Sequence, residues 1–199
     1  MKRLSIVALI ALIGLAGFAT QASAQVVEIL PQIGVSFPTY TGDGVDSSTG
    51  IGFEAGGKVR IGGRFYVEPG VFWAYNTADI AETGEEKAAL AISDFRVPLV
   101  LGFKIIKSRV IALRIFGGAY PAFVTSVSDD DEERDIVKDD LNSTQWSGRA
   151  GAGLDFTLIS FDIGYDFGLT EVIDLEVHPD APSIKRNMFY LEFGLRFGF

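Results

Sequence analysis

The sequence predicts an all-β protein with the fold of an eight-stranded antiparallel up-and-down β-barrel. Three observations lead to this prediction: apolar residues recur at every second position, short and long connections alternate along the chain, and the apolar face carries side chains too large for a barrel interior. The chain has 199 residues, of which 48% are hydrophobic and 12% aromatic. It is therefore long enough for one domain and too apolar to be disordered.

Residues 1–24 have the pattern of a signal peptide for export. Lys2 and Arg3 form a basic start, an apolar run covers about residues 6–19, and the small residues at 22–24 (Ala-Ser-Ala) are typical of a signal-peptidase site. The run is shorter than the roughly 20 residues of a membrane-spanning helix, so cleavage is expected. Residues 25–199 are then the mature chain, predicted to be one barrel domain. Without Lys2 and Arg3, 15 basic residues face 26 acidic ones, a charge of −11.

Eight segments of the mature chain alternate with the period of a β-strand. The first covers about residues 28–37, and the last shows the pattern most clearly, because every second residue from Phe189 to Phe199 is Phe or Leu. The residues between them are Tyr, Glu, Gly, Arg and Gly. Successive side chains of a strand point to opposite faces of the sheet. Each segment is thus expected to have one apolar face and one face of polar residues and glycine.

The connections between these segments alternate in length. Short connections are predicted at residues 62–64, 107–108 and 159–160, and long polar connections at about residues 39–50, 78–91, 125–145 and 171–186. Short and long connections then lie at opposite ends of the barrel. This arrangement is typical of transmembrane barrels of the bacterial outer membrane, in which the short turns face the periplasm. The predicted location is therefore the bacterial outer membrane.

The position of the charged residues distinguishes this interpretation from a soluble, lipocalin-like barrel. A soluble barrel turns its apolar face inward, whereas a membrane barrel turns that face to lipid. Here the apolar face carries Trp73, Tyr75, Trp146, Tyr165 and many Phe residues, which exceed the space inside eight strands. The opposite face is rich in glycine and holds seven acidic and seven basic residues. Because an unpaired buried charge costs several kcal/mol, we expect these residues to pair inside the lumen.

The predicted lumen charge network has a structural role and consists of fourteen residues. They are Glu54, Lys58, Arg60, Glu68, Asp94, Arg96, Lys104, Arg114, Arg149, Asp155, Asp162, Asp166, Glu192 and Arg196.

Other residues predict contacts with the membrane and irregularities in the sheet. Aromatic residues near strand ends are expected at the membrane–water interfaces, so outer-membrane lipid and lipopolysaccharide are the expected surroundings. The terminal Phe199 resembles the signal by which outer-membrane barrels are recognised, which implies contact of the C-terminal strand with the assembly machinery. Proline lacks a backbone donor, so bulges or strand ends are expected at Pro31, Pro69, Pro98 and Pro121.

Three segments resemble the PorT-like family of outer-membrane barrels. These are residues 94–101 (DFRVPLVL), with its central proline, residues 116–120 (FGGAY) and residues 162–170 (DIGYDFGLT). The resemblance covers most of the mature chain, and its motifs are structural, so it implies the barrel fold. The founding member of that family is linked to protein secretion and gliding machinery.

The sequence contains little material for catalysis or for binding a cofactor or metal. There is no Cys, and the single histidine, His178, lies in a long connection without a recognisable Ser or acidic partner. The glycines of residues 148–153 alternate on a strand with no helix behind them, unlike a phosphate-binding loop. The acidic run at 129–133 lacks the spaced ligands of a calcium loop. We expect no enzyme activity, no cofactor and no metal, and the acidity excludes nucleic acid as a partner.

The connection at residues 125–145 is the most acidic part of the chain. It has eight acidic residues against Arg134 and Lys138, a charge of −6. Dense like charges repel one another and hydrate, so this connection is expected to be extracellular, mobile and dispensable for folding. Its charge would attract divalent cations at the lipopolysaccharide surface or a cationic partner.

Three functions agree with these features. The favoured one is a non-catalytic outer-membrane barrel with a closed, charge-filled lumen that supports the envelope or presents loops to a protein partner of unknown identity. The second is a small transport or channel protein, against which the narrow lumen argues. The third, an accessory barrel of a secretion complex, rests on the family resemblance alone.

Overall fold

The computed structural model describes residues 27–42, 45–80, 88–108, 110–129, 144–170 and 184–198. The predicted signal peptide, His178, Phe199 and residues 130–143 of the acidic connection lie outside the described residues. Within the described ranges no helix is both long and apolar enough to span a membrane. The strands are β1 (Val27–Gly42), β2 (Val45–Thr49), β3 (Ile51–Gly62), β4 (Phe65–Ile80), β5 (Ala88–Arg96), β6 (Leu99–Lys107), β7 (Ile111–Asp129), β8 (Thr144–Phe156), β9 (Ile159–Gly168), β10 (Ile184–Leu195) and β11 (Phe197–Gly198).

The strands form a closed antiparallel barrel with eight strand positions around its circumference. Pairing follows the chain from β1 through β3 and β4, then through β5 and β6 to β7, and on through β8 and β9 to β10, which pairs with β1 again. β5 and β6 together form one barrel strand between β4 and β7, and β11 extends β10 along β1. β2 pairs with β1 alone and lies outside the eight. The predicted eight-stranded antiparallel barrel is confirmed.

The inner and outer faces of the barrel have opposite chemistry. Neighbouring residues of β6 illustrate this, because Val100 is 2% exposed and Leu101 is 57% exposed. The buried inner face carries the charged side chains and some aromatic ones, whereas most large apolar side chains, including Trp73 and many Phe, point outward along the strands that the structure describes with side chains. The faces follow the predicted alternation, with the apolar side outward as expected for contact with lipid.

The apolar outer surface forms a belt of limited height. On β4 it extends from Phe65 to Tyr75, eleven residues that rise about 25 Å along the membrane normal if the strand tilts by about 45°. At the end of the long connections, the outward residues become hydroxyl and amide side chains. These are Thr39, Thr77, Ser93, Thr125, Thr144 and Asn187. Several strands continue beyond this ring of polar residues.

The structure corrects the predicted limits of the connections. Strands extend into each predicted long connection: β1 and β2 occupy most of residues 39–50, and β7 continues to Asp129. The third short turn lies at 157–158, not at 159–160, and Thr157 adopts a positive φ of 53° there. The sequence pattern predicts these strand ends as connections because a strand outside the membrane keeps its backbone hydrogen bonds but has no apolar face.

Bulges or strand ends are expected at four prolines, but only one of the four lies in such a place. Pro98 lies in the break between β5 and β6, as expected. Pro31, Pro69 and Pro121 lie inside strands. Beside each of these three, the pairing with one neighbouring strand is interrupted: opposite Pro121, for example, β5 ends and β6 has not begun. The missing backbone donor is thus accommodated by a gap in one ladder while the strand continues.

Candidate functional site: the charged lumen

The structure places all fourteen residues of the predicted lumen charge network on the inner face of the barrel. Thirteen of them are buried. Arg196 differs, because it lies at the short-turn end and its side chain is 21% exposed. There it donates to Glu28 at 2.8 Å and to the carbonyl oxygen of Thr157.

The lumen contains two further charged residues that are absent from the predicted network. Glu28 opens β1, and its carboxylate contacts Arg60, Lys104 and Arg196. Arg186 lies on β10, within residues 171–186, for which the sequence predicts a long connection. Its neighbours Lys185 and Asn187 are also polar, so alternation gave no signal. The described lumen therefore holds eight acidic and eight basic side chains.

The sixteen charges divide into two groups that do not share an ion pair. The larger group contains six acidic and six basic residues joined by a continuous chain of contacts. Its members are Glu28, Lys58, Arg60, Glu68, Lys104, Arg114, Arg149, Asp155, Asp162, Asp166, Glu192 and Arg196. The smaller group contains two acidic and two basic residues, and each group is therefore electrically neutral.

Like Lys58, Arg60 contacts three carboxylates of the larger group. Its Nη1 lies 3.0 Å from Glu28 and 2.8 Å from Asp155, while its Nε donates to Glu68. Three carboxylates thus share one guanidinium that is fully buried. Removal of this side chain would leave all three with less compensation.

Glu192 links the two halves of the larger group. Its carboxylate contacts Lys58 on one side and lies 2.8 Å from Arg149 Nη1 on the other. Arg149 also holds Asp166 through two donors at 2.8 Å, a bidentate arrangement that fixes both side chains. Tyr120 donates its hydroxyl to the same carboxylate at 2.8 Å.

The smaller group lies nearer the long connections. Arg96 Nε is 2.7 Å from Asp94, and its Nη1 is 2.8 Å from Glu54. Arg186 reaches the other oxygen of Asp94 at 2.9 Å. The Asp94 carboxylate is thereby held between two guanidinium groups.

Two of these ion pairs cross the full width of the lumen. Arg60 on β3 contacts Asp155 on β8, and Arg186 on β10 contacts Asp94 on β5. In each case the two strands are four positions apart in either direction around the barrel, so they lie on opposite walls. The first pair lies near the short turns and the second near the long connections. The lumen is therefore bridged at two levels.

Aromatic side chains occupy the space among the charges. Arg149 lies 4.0 Å from the ring centre of Tyr190 and 5.1 Å from that of Tyr120, within cation–π range. Glycine makes room for these rings: a Cβ at Gly102 would overlap the Tyr66 ring. The buried lumen aromatics are Tyr40, Tyr66, Phe72, Phe116, Tyr120 and Tyr190.

The chemistry of this site is charge compensation. Every described carboxylate of the lumen contacts an Arg or Lys side chain. Among the described residues, no cluster of His, Cys, Asp and Glu side chains has the arrangement needed to hold a metal ion.

Comparisons with known proteins agree with this architecture. Residues 18–174 match the family model described as outer membrane protein beta-barrel domain. The crystal structure of OprG from Pseudomonas aeruginosa is similar, with a TM-score of 0.52 and 12% identity over 87% of this chain and 95% of that one. Ail of Yersinia pestis gives a TM-score of 0.49 and 16% identity, over 88% of this chain and 100% of that one.

An outer-membrane enzyme, PagL, also matches with a TM-score of 0.45 and 15% identity, over 81% of this chain and 97% of that one. No curated protein matches this chain. At 12% identity the OprG structure shows the fold alone, whereas the family model covers most of the sequence. The chain therefore belongs to the outer membrane protein beta-barrel domain family, and it is a protein of the bacterial outer membrane.

Proposed function

We propose that this protein is a non-catalytic barrel whose closed, charge-filled lumen keeps it rigid in the outer membrane while its long connections engage a partner outside the cell. The observation that carries the proposal is the pair of ionic bridges, Arg60 to Asp155 and Arg186 to Asp94, across the lumen. A continuous water path would require both bridges to separate. Separation would leave buried charges without a partner, and one uncompensated buried charge costs about 3–5 kcal/mol, so spontaneous opening is rare.

Conductance across a planar lipid bilayer tests the closed lumen. Refolded protein is expected to give no stable, discrete channels. In two comparison variants, charges are removed in pairs so that each group stays neutral: Arg60→Gln with Asp155→Asn, and the same changes combined with Arg186→Gln and Asp94→Asn. The first variant retains one bridge and is expected to stay closed, while the second is expected to conduct.

A change in gel mobility on heating shows whether each variant has folded, because a hydrogen-bonded barrel resists detergent until it is boiled. Discrete channels from the unaltered protein would contradict a closed lumen and favour the second candidate, a small transport or channel protein.

The interaction role is assigned to the end with the long connections. Each of the four predicted long connections carries a net negative charge, which favours a cationic partner or divalent cations at the lipopolysaccharide surface. Crosslinking from positions in these connections on intact cells identifies such a partner. Protease added to intact cells is expected to cleave near Arg134 or Lys138 and to leave the barrel folded. Cleavage only from the periplasmic side would reverse the proposed orientation.

The resemblance to PorT-like barrels supports a more specific role, in which the protein is an accessory barrel of a secretion complex. Co-purification with a large membrane assembly after mild solubilisation would favour that role over an isolated barrel.

Export and assembly complete the proposal. Residues 1–24 act as a signal peptide, and the C-terminal strand is recognised by the assembly machinery. N-terminal sequencing of the protein from outer membranes is expected to begin at Gln25, whereas retention of residue 1 would contradict cleavage.

A further inference from the structure

The short-turn end of the barrel brings the turn between β3 and β4 against the end of β6. Gly62 starts this turn with a φ of +135°, where a Cβ would overlap the carbonyl oxygen of Phe65. Phe65 pairs with Phe103 across the two strands, and Lys104 donates its backbone N–H to the Arg64 carbonyl at 2.8 Å. The position of Arg64 is thus fixed by the ladder of the barrel.

The Arg64 side chain is held at the edge of the apolar belt. Its Nε donates to the carbonyl oxygen of Lys104 at 3.2 Å, and its Nη2 donates to that of Ile105 at 3.3 Å. The guanidinium lies 5.7 Å from the ring centre of Phe103, which in turn packs on Phe65 with ring centres 4.7 Å apart. The cation therefore lies over the half-buried ring of Phe103, which packs on the exposed ring of Phe65.

A second cation, Lys107, reaches the same corner. Its Nζ lies over the small residue Gly63, 3.8 Å from the place a Cβ would occupy. Arg64 and Lys107 are both exposed, and in the part of the chain that the structure describes neither contacts a carboxylate. In the lumen, by contrast, each basic side chain has an acidic partner. The acidic side chains described at this end are all buried.

We propose that Arg64 and Lys107, together with the aromatic pair Phe65 and Phe103, bind the phosphate headgroup of an anionic phospholipid. The site is called the phosphate corner here. Its two cations lie where the apolar belt ends, which is the depth of the headgroup layer, and the two rings below them offer a surface for an acyl chain. Arg binds phosphate oxygens through donors in a fixed geometry, and each basic residue at a membrane surface strengthens binding of anionic lipid.

Titration of the refolded, detergent-solubilised full-length mature chain with phosphatidylglycerol, followed by native mass spectrometry, tests the phosphate corner. Phosphatidylcholine serves as the neutral comparison. Phosphatidylglycerol is expected to bind more tightly, and Arg64→Gln or Lys107→Gln should each weaken its binding about five-fold. The double variant should bind both lipids equally. Lys185→Gln, an exposed lysine at the opposite end, is the matched control and should change nothing.

Three results would overturn the assignment. Equal binding of both lipids by the unaltered protein removes the preference for an anionic headgroup, and an unchanged preference in the double variant places the lipid elsewhere. Release of phosphatidylglycerol by an equal concentration of inorganic phosphate indicates a site for free phosphate instead of lipid. Heat-modifiable gel mobility of every variant confirms that the barrel has folded.

Discussion

The inner and outer faces of the same strands differ in both chemistry and packing. On β7, Gly117 faces outward and Gly118 faces inward. A Cβ on Gly117 would find its nearest neighbour 3.6 Å away, whereas a Cβ on Gly118 would overlap the backbone of Leu99. The outer face adapts to fluid lipid, while the inner face must fit fixed charges and rings. In soluble proteins the apolar residues are also the tightly packed ones. In this barrel the apolar residues face lipid, and the tightly packed side chains are the charged and aromatic residues of the lumen.

The largest effect is expected from the lumen. Arg60→Ala removes the guanidinium shared by Glu28, Glu68 and Asp155 and leaves buried carboxylates with too little compensation. The free energy of unfolding, measured by urea titration in lipid vesicles, should fall by about 3–5 kcal/mol. Arg196→Ala, at the exposed end of the same group, should cost less than about 1 kcal/mol. Equal losses in the two variants would argue against a buried network.

A charge on the outer face should have the next largest effect. Leu101→Arg places a cation in the apolar belt, between Leu99 and Phe103 of β6, where burial in lipid costs about 2–4 kcal/mol. The same unfolding measurement in vesicles gives this value. Leu101→Met keeps an apolar side chain of similar size and should change stability by less than about 0.5 kcal/mol. If arginine were tolerated as well as methionine, the outer face would not be in contact with lipid.

The smallest effect compares the two adjacent glycines. Gly118→Ala should destabilise the barrel by about 1–3 kcal/mol, because its methyl group meets the backbone of a neighbouring strand that cannot move aside. Gly117→Ala adds the same methyl group on the lipid side and should stay within about 0.5 kcal/mol. The urea midpoints of unfolding of the two variants, measured in the same lipid composition, test this difference in stability. A reversed order would mean that the faces of β7 are exchanged.

The sequence alone was sufficient for the barrel, the number of strands and the face of the fourteen charged residues assigned to the lumen, because a period of two fixes which side chains share a face. The rule worked best within the lipid belt, where lipid demands apolar residues on one side. It failed at Arg186 and at β2, since strands outside the belt meet water on their outer face. The true third turn at Thr157 was also missed, because no glycine marks its positive φ.

The sequence did not predict which acidic residue of the lumen pairs with which basic residue. Arg60 meets Asp155 across the barrel, 95 residues away in the chain. Which acid faces which base depends on the tilt and stagger of the strands, and alternation contains no information about either. The balance of seven acids and seven bases nevertheless predicted that they would pair. Their division into two neutral groups emerges only from the register of the whole sheet.

The position of Glu192 on β10 has a consequence for how the barrel is completed. Lys58 and Arg149 come from earlier strands, and both contact this carboxylate on the strand that closes the sheet. A chain in which only the first seven strands have assembled therefore leaves Lys58 and Arg149 without one of their carboxylate partners and also has two open edges. Arrival of the final strand removes both defects in one step. Closure is thus cooperative, and partly built barrels are disfavoured intermediates during insertion.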